Sequence, residues 1–273
     1  MTNQHYKLLV IDIDGTLINK YGDISAENTE ALSLVQSSGR QVALSTGRSL
    51  KSSLQIINQL SLEKYHIFFD GALVCDPGTG EEIYAQPIDK PVVKQMIEFA
   101  HRHDIDLELF STTHYFAERE TWSTETHRHF FGIEPNIGDF TGIWEQEIII
   151  KGELVVNTPL ENDKSKSFGS HFADIVNFSR VKVPTYPDVI FVNILAPDTS
   201  KGKALEVLSA HLGISLAKVV AIGDGRNDIS LLSAAGLGIA MGNAHDEVKK
   251  VADHITLHVD EHGLAAAIKQ FFL

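Results

Sequence analysis

Two carboxylates two residues apart, Asp12 and Asp14, close the apolar run Leu8–Ile11 and are followed by Gly15, Thr16 and Leu17. A four-residue apolar run reads as a fully buried parallel strand. Gly15 suggests that the strand ends there and the chain turns, which can bring both acids to one mouth. Open α/β sheets place their sites at the carboxyl ends of such strands. The same signature recurs twice. Gln41–Leu44 leads into Ser45-Thr46-Gly47-Arg48, and Val219–Ile222 leads into Gly223-Asp224-Gly225-Arg226-Asn227-Asp228. Thr46 and Arg48 fall between a strand end and a helix start, where free backbone N–H groups favour anions. Lys201 opens the helix before the last of these strands.

If these strand ends converge, Asp12, Asp14, Asp224 and Asp228 share one pocket. Like charges that close cannot all stay ionised without compensation. Lys201 is one counter-charge and a hard divalent cation is the obvious other. Oxygen ligands without His or Cys favour Mg²⁺. A Lys, a Thr hydroxyl, backbone N–H groups and Mg²⁺ suit a phosphate group, and a carboxylate beside it can attack phosphorus.

The elements that must hold these groups follow a βαβαβ order through residue 69: Leu8–Ile11, a helix over Ala26–Ser38, Gln41–Leu44, a helix from Leu50 to Leu60, and Ile67–Phe69. That order argues for a parallel, right-handed wound sheet. The rhythm then changes. Ala72–Val74 and Glu82–Ala85 read as a hairpin, Lys90–His101 as a helix, and Asp106–Phe110 with His114–Ala117 as a second hairpin. Trp122–Phe131 reads as a weak helix, Gly132–Gly142 as a loop and Ile148–Asn157 as one or two strands. Ser165–Val176 reads as a helix, and Ser179–Val183 with Val189–Leu195 as a strand pair. From Lys201 the helix–strand alternation resumes. The expected division is a discontinuous core, 1–82 and 196–273, around an α+β insert, 83–195. Gln86-Pro87 and Ala196-Pro197 are the expected hinges.

Composition excludes several classes. The formal charge of −13 makes nucleic acid an unfavourable partner. Cys75 is the single cysteine, so no intrachain disulfide forms and a reducing, cytoplasmic setting is expected. The polar Met1–Lys7 and the short apolar run after it predict neither a signal peptide nor a membrane span.

Asp12-x-Asp14-Gly15-Thr16-Leu17, Thr46-Gly47-Arg48, Lys201-Gly202 and Gly223-Asp224-Gly225-Arg226-Asn227-Asp228 resemble the four ordered motifs of the haloacid dehalogenase superfamily. The resemblance is greatest to its Cof-type phosphatases with a large α/β cap, the C2B arrangement, and extends to Met241-Gly242-Asn243-Ala244. It implies a Rossmann-like sheet with the first strand central, in the order 3-2-1-4-5, and an inserted cap. It implies hydrolysis of a small phosphorylated metabolite, a sugar phosphate or similar, with Mg²⁺ as cofactor. Asp12 would be the nucleophile forming an aspartyl-phosphate and Asp14 the acid and base. Thr46 and Lys201 would complete the catalytic set, with Gly15, Gly47, Arg48 and Asn227 at the phosphate. Asp12, Asp14 (by its carbonyl) and Asp224 would hold the metal, supported by Asp228. A phosphomutase of the same cap class, or a non-catalytic Mg²⁺ and phosphate-binding module, is the alternative.

Some expectations are local. Asp70-Gly71-Ala72 stands where many Cof-type chains have Asn-Gly-Ala, and Asp70 reads as a turn residue or a partner for Arg48. His101, His103, His114, His127 and His129 read as solvated cap-surface residues, since no matched acid cluster accompanies them in sequence. Trp122, Trp144 and Tyr186 read as packing residues, Arg119 and Arg128 as exposed, and Cys75 as inert.

Overall fold

The computed structural model describes residues 5–182 and 186–272. The central sheet is parallel. β1 (Leu8–Ile11) lies between β2 (Gln41–Leu44) and, from the far end of the chain, β12 (Val219–Gly223). β13 (Leu237–Ala240) and β14 (His254–Ile255) continue it past β12. β3 (His66–Phe68) extends the other side through a single parallel bridge, Ser45 to Ile67. The expected order therefore holds, with β14 as an additional edge strand. β3 also begins a small antiparallel sheet with β4 (Leu73–Asp76) and β5 (Glu81–Ala85). Ile83 and Tyr84 pack on the core, so this sheet runs past the boundary expected at residue 82.

Helices cover both faces of the central sheet, which is why its strands are apolar without alternation. α1 (Ala26–Ser37), α2 (Leu50–Gln59) and α10 (Gly263–Phe271) pack on one face through Leu32, Ile56 and Ile268. α7 (Lys201–His211), α8 (Ile229–Ala234) and α9 (Asp246–Val251) pack on the other through Leu205, Leu231 and Val248. Ser25, Ser49 and Ser200 cap α1, α2 and α7, each accepting a backbone N–H three residues on.

The insert is a six-stranded sheet in the order β10-β11-β9-β6-β7-β8. In chain order it comprises α3 (Lys90–Arg102), β6 (Glu108–Phe110), β7 (Tyr115–Ala117), α4 (Trp122–Thr126), a π-helical turn over His127–Phe131, β8 (Asn136–Ile137) and α5 (Ile143–Gln146). β9 (Lys151–Val156), α6 (Pro159–Phe172), β10 (Asn177–Val181) and β11 (Ile190–Leu195) complete it. α3 and α6 cover one face with Met96, Phe168 and Phe172. The other face looks onto the central sheet. α6 starts six residues before the expected Ser165. Thr158 and Glu161 form a capping box around Pro159, a start signal that hydrophobic periodicity alone does not register. Of the expected strand pair, Val183 lies outside the described residues. The two chain crossings meet: the Gln86 side-chain amide donates to the Pro197 carbonyl.

The turn after β3 locks several parts together. Phe69, Asp70 and Gly71 all have positive φ, at 51°, 53° and 99°. A Cβ on Gly71 would lie 2.2 Å from the Ser200 carbonyl oxygen, at the start of α7. Gly71→Ala is therefore expected to destabilise the protein by about 3 kcal/mol or more, measured by urea unfolding. A variant as stable as the parent would contradict this packing.

Candidate active site

The carboxyl ends of β1, β2 and β12 bring the sequence motifs together. They form the floor of a cavity of about 540 Å³ whose roof is the inner face of the cap sheet. Asp12, Asp14, Gly47, Arg48, Asp224 and Asn227 line it. Thr46, Lys201 and Asp228 are buried behind the floor. Gly15 is required by close approach, since a Cβ there would stand 2.5 Å from Oδ2 of Asp224.

Lys201 Nζ donates to Asp12 Oδ1 at 2.7 Å and Asp228 Oδ1 at 2.6 Å. Burial opposes its charge, but Asp12 and Asp228 outweigh that and hold the ammonium well above its ordinary pKa. The second oxygen of Asp228 accepts the backbone N–H groups of Asp224 and Gly225 at 3.0 and 2.9 Å. Asp228 therefore orients both Lys201 and the loop carrying Asp224. Thr16 Oγ1 (3.2 Å) and Asn243 Nδ2 (3.1 Å) donate to Asp224. Asn243 also donates to the Gly15 carbonyl, tying the first and last segments of the core.

Arg48 departs from the expected pairing. Its Nε and a terminal nitrogen donate to the two oxygens of Asp14 at 2.8 and 2.6 Å, not to Asp70. Phe130 and Phe131 of the cap lie over its guanidinium, 5.3 and 5.2 Å from ring centre to Cζ. The Thr46 hydroxyl accepts the Arg48 backbone N–H. Asn227 Nδ2 donates to Asp70 Oδ1 at 2.7 Å. Asp70 is thus more than a turn residue, because its carboxylate has partners on two sides.

Among the described residues the cations paired with these carboxylates are Lys201, with Asp12 and Asp228, and Arg48, with Asp14, so four acids meet two cations on the floor. Burial and Asp228 push the Asp12 carboxyl well up, against Lys201. Burial and Asp228 also push Asp224 up, to about 7. This surplus fits a bound cation, and Asp12, Asp224 and Asp228 offer oxygens within 4.8 Å of one another. Below about pH 7 a cation competes with a proton for Asp224. The rise in Tm caused by MgCl₂ is therefore expected to be larger at pH 8 than at pH 6, and an equal rise at both would contradict the site.

The roof holds groups that the sequence did not disclose. Glu108, Glu153 and Asn193 are cross-strand neighbours on β6, β9 and β11, and Lys151 shares their face. Among the cap histidines, His127 is not on the surface. It is buried, with Nε2 2.7 Å from Glu153 and Nδ1 3.0 Å from the Ser123 carbonyl and 3.3 Å from Glu108. Its acid partners come from distant strands, so no local cluster marks it. The available signal was one or two polar residues inside apolar strands, as in Lys151-Gly-Glu153-Leu-Val-Val and Phe191-Val-Asn193-Ile-Leu. His101 is half exposed beside Glu118, and Arg119 and Arg128 pair with surface acids, as expected. Cys75 is buried, which pushes its thiol up to about 12.

Burial would raise the Glu153 carboxyl, but Lys151 and His127 outweigh it and hold it at about 2, below its ordinary 4.5. A depressed carboxyl contributes stability that is present above the unfolded value and lost as pH falls through the folded one. The Tm advantage of the parent over Glu153→Gln is expected to shrink between about pH 4.5 and pH 2. A constant difference over that range would contradict the ion pairing.

Residues 9–268 match the family model of haloacid dehalogenase-like hydrolases. The chain belongs to that family. Phosphatase YwpJ of Bacillus subtilis is 30% identical, over 96% of this chain and 99% of its own. The 5-amino-6-(5-phospho-D-ribitylamino)uracil phosphatase YcsE of the same organism is also 30% identical, over 98% of this chain and 96% of its own. A haloacid dehalogenase-like hydrolase from Bacteroides thetaiotaomicron superposes with a TM-score of 0.85 at 27% identity, covering 98% of this chain and 100% of that one. The family's Rossmann-like core and cap are the architecture described above, and the chain is a phosphomonoesterase. Among the described residues no helix is long and apolar enough to cross a membrane.

Proposed function

We propose that the protein is a Mg²⁺-dependent phosphatase that releases phosphate from a small phosphorylated metabolite through an aspartyl-phosphate on Asp12. The observation that carries this reading is the convergence of four distant segments on one cavity floor, with Asp12 held by Lys201 at 2.7 Å. The core, 1–85 and 196–273, supplies the chemistry, and the insert between them the roof.

Asp12 attacks phosphorus, an O–P bond forms, and the bond to the leaving oxygen breaks. Asp14 gives that oxygen a proton. In the second half Asp14 takes a proton from water, the water oxygen attacks phosphorus, and the Asp12 carboxylate is released with inorganic phosphate. Arg48 occupies both oxygens of Asp14, so the acid step requires one guanidinium arm to be freed. An incoming phosphoryl anion draws that arm toward itself, coupling phosphate binding to release of Asp14. Lys201 steadies the charge on Asp12 and the phosphoryl oxygens. Thr46, Gly15, Gly47 and Asn227 shape the phosphate pocket. Asp12, Asp224 and the Asp14 carbonyl would hold Mg²⁺, which would supply neutralisation of phosphoryl charge.

The roof fits a compact polar leaving group with an apolar side. Phe110, Phe131 and Phe191 line it beside Lys151 and Glu153. A sugar phosphate or a nucleotide-related ester meets both requirements, and the ribityl and uracil parts named for YcsE's substrate are of that kind.

With p-nitrophenyl phosphate and MgCl₂ the parent should release phosphate, and Asp12→Asn should be inactive while keeping its far-UV spectrum. Asp14→Asn should lower kcat by roughly 10²–10⁴-fold. Full activity in Asp12→Asn would overturn the mechanism.

A further inference from the structure

We propose that Asp70, Asn193 and Lys151 form a hydrogen-bonded latch of fixed polarity that sets the closed position of the cap over the cavity. The proposal rests on the phosphatase reading only for its kinetic consequence. Asp70 lies in the core, on the turn after β3, and Asn193 and Lys151 lie on cap strands β11 and β9. Asn193 Nδ2 donates to Asp70 Oδ2 at 2.7 Å, and Lys151 Nζ donates to Asn193 Oδ1 at 3.4 Å and to Glu153 Oε2 at 2.5 Å.

Each end of this chain has one hydrogen-bonding sense. An ionised carboxylate only accepts and an ammonium only donates. The Asn193 amide between them must therefore present nitrogen to the core and oxygen to the cap, and it cannot flip without opposing like groups at both ends. The three side chains are 3%, 3% and 5% exposed, so water does not substitute for a lost partner.

The core end is placed at the reacting centre. The Asp70 backbone N–H donates to the Thr46 carbonyl, and Oδ1 accepts from Asn227. Its carboxylate lies so close to Gly47 that a Cβ there would meet Oδ1 at 2.9 Å. Asp70 holds this position with φ at 53°, beside Phe69 at 51°, a conformation that non-glycine residues keep only where surrounding contacts fix it. One carboxylate thus touches the phosphate loop and Asn227 in the core while receiving the cap. It is a positioning residue, acting through Asn193 and Asn227.

The polarity makes the latch testable by exchange. In Asp70→Asn the new amide oxygen can still accept from Asn227, but its NH₂ faces the NH₂ of Asn193. In Asn193→Asp two carboxylates face each other. In the double variant D70N/N193D the amide at 70 donates to the carboxylate at 193, which still accepts from Lys151. With p-nitrophenyl phosphate, each single variant should raise KM by about tenfold or more while changing kcat less, and the double variant should return KM toward the parent. Small-angle scattering should show a larger radius of gyration for each single variant and the parent's radius for the double. If either single variant fails to fold, Asn193→Ala supplies the broken-latch comparison and should show the same KM and radius changes. Single variants with parental KM and radius, or a double variant no better than the singles, would overturn the latch. A parent that hydrolyses nothing, with the radius pattern intact, would overturn the phosphatase reading and leave the latch standing.

Discussion

A buried ammonium is the constraint on which the site depends. Lys201 is fully enclosed and stands between two carboxylates from the two central strand ends. Removing such a charge from water is costly unless every neighbour is placed to meet it. The backbone supplies that placement. Ser200 caps the helix that starts at Lys201, Gly71 lets the turn after β3 reach the Ser200 carbonyl, and Asp228 is fixed by two backbone N–H groups of its own loop. The network leaves the floor with more negative than positive charge, and Asp12, Asp224 and Asp228 there are close enough together to hold a cation.

The cap works by a different physics. Its helix-facing side is an ordinary apolar core, but its inner side carries Lys151, Glu153, Glu108, Asn193 and His127 with almost no exposure. Opposite charges come in equal number there once His127 is protonated. Burial disfavours that proton, yet Glu108 and Glu153 outweigh burial and raise the imidazole pKa. That buried cluster is then internally neutral, and the cap adds Arg180 and Lys182 to the cavity lining. The cluster offers fixed dipoles beside aromatic rings.

Much of the core was legible because its chemistry is contiguous with its scaffold. Asp12, Thr46 and Asp224 each follow a short apolar strand within two residues, so a strand end and a functional group are read in one stretch. The parallel wound sheet and the insert were read from the same rhythm, and the strand order from the family resemblance. The roof was not legible, because Glu108, Glu153 and Asn193 become neighbours only through strand register between segments far apart in sequence. His127 was misplaced for a related reason: a π-helical turn sets its direction and remote acids hold it. Of the two readings of Asp70, pairing with Arg48 is not seen: Arg48 pairs with Asp14, and the left-handed turn at Asp70 directs that carboxylate to two asparagines.

The central position of β1 has a consequence for the making of the protein. Leu8 to Ile11 pair with β2 on one side almost at once, but their other neighbours are Val219 to Ile222. On the ribosome this strand waits with one edge unpaired while the whole cap, which has its own apolar core, is synthesised ahead of its partner. Lys201 and Asp228 also arrive late. The nascent chain thus carries Asp12 for most of its synthesis without the ammonium that pairs with it, and the cavity floor comes into being only when the sheet closes.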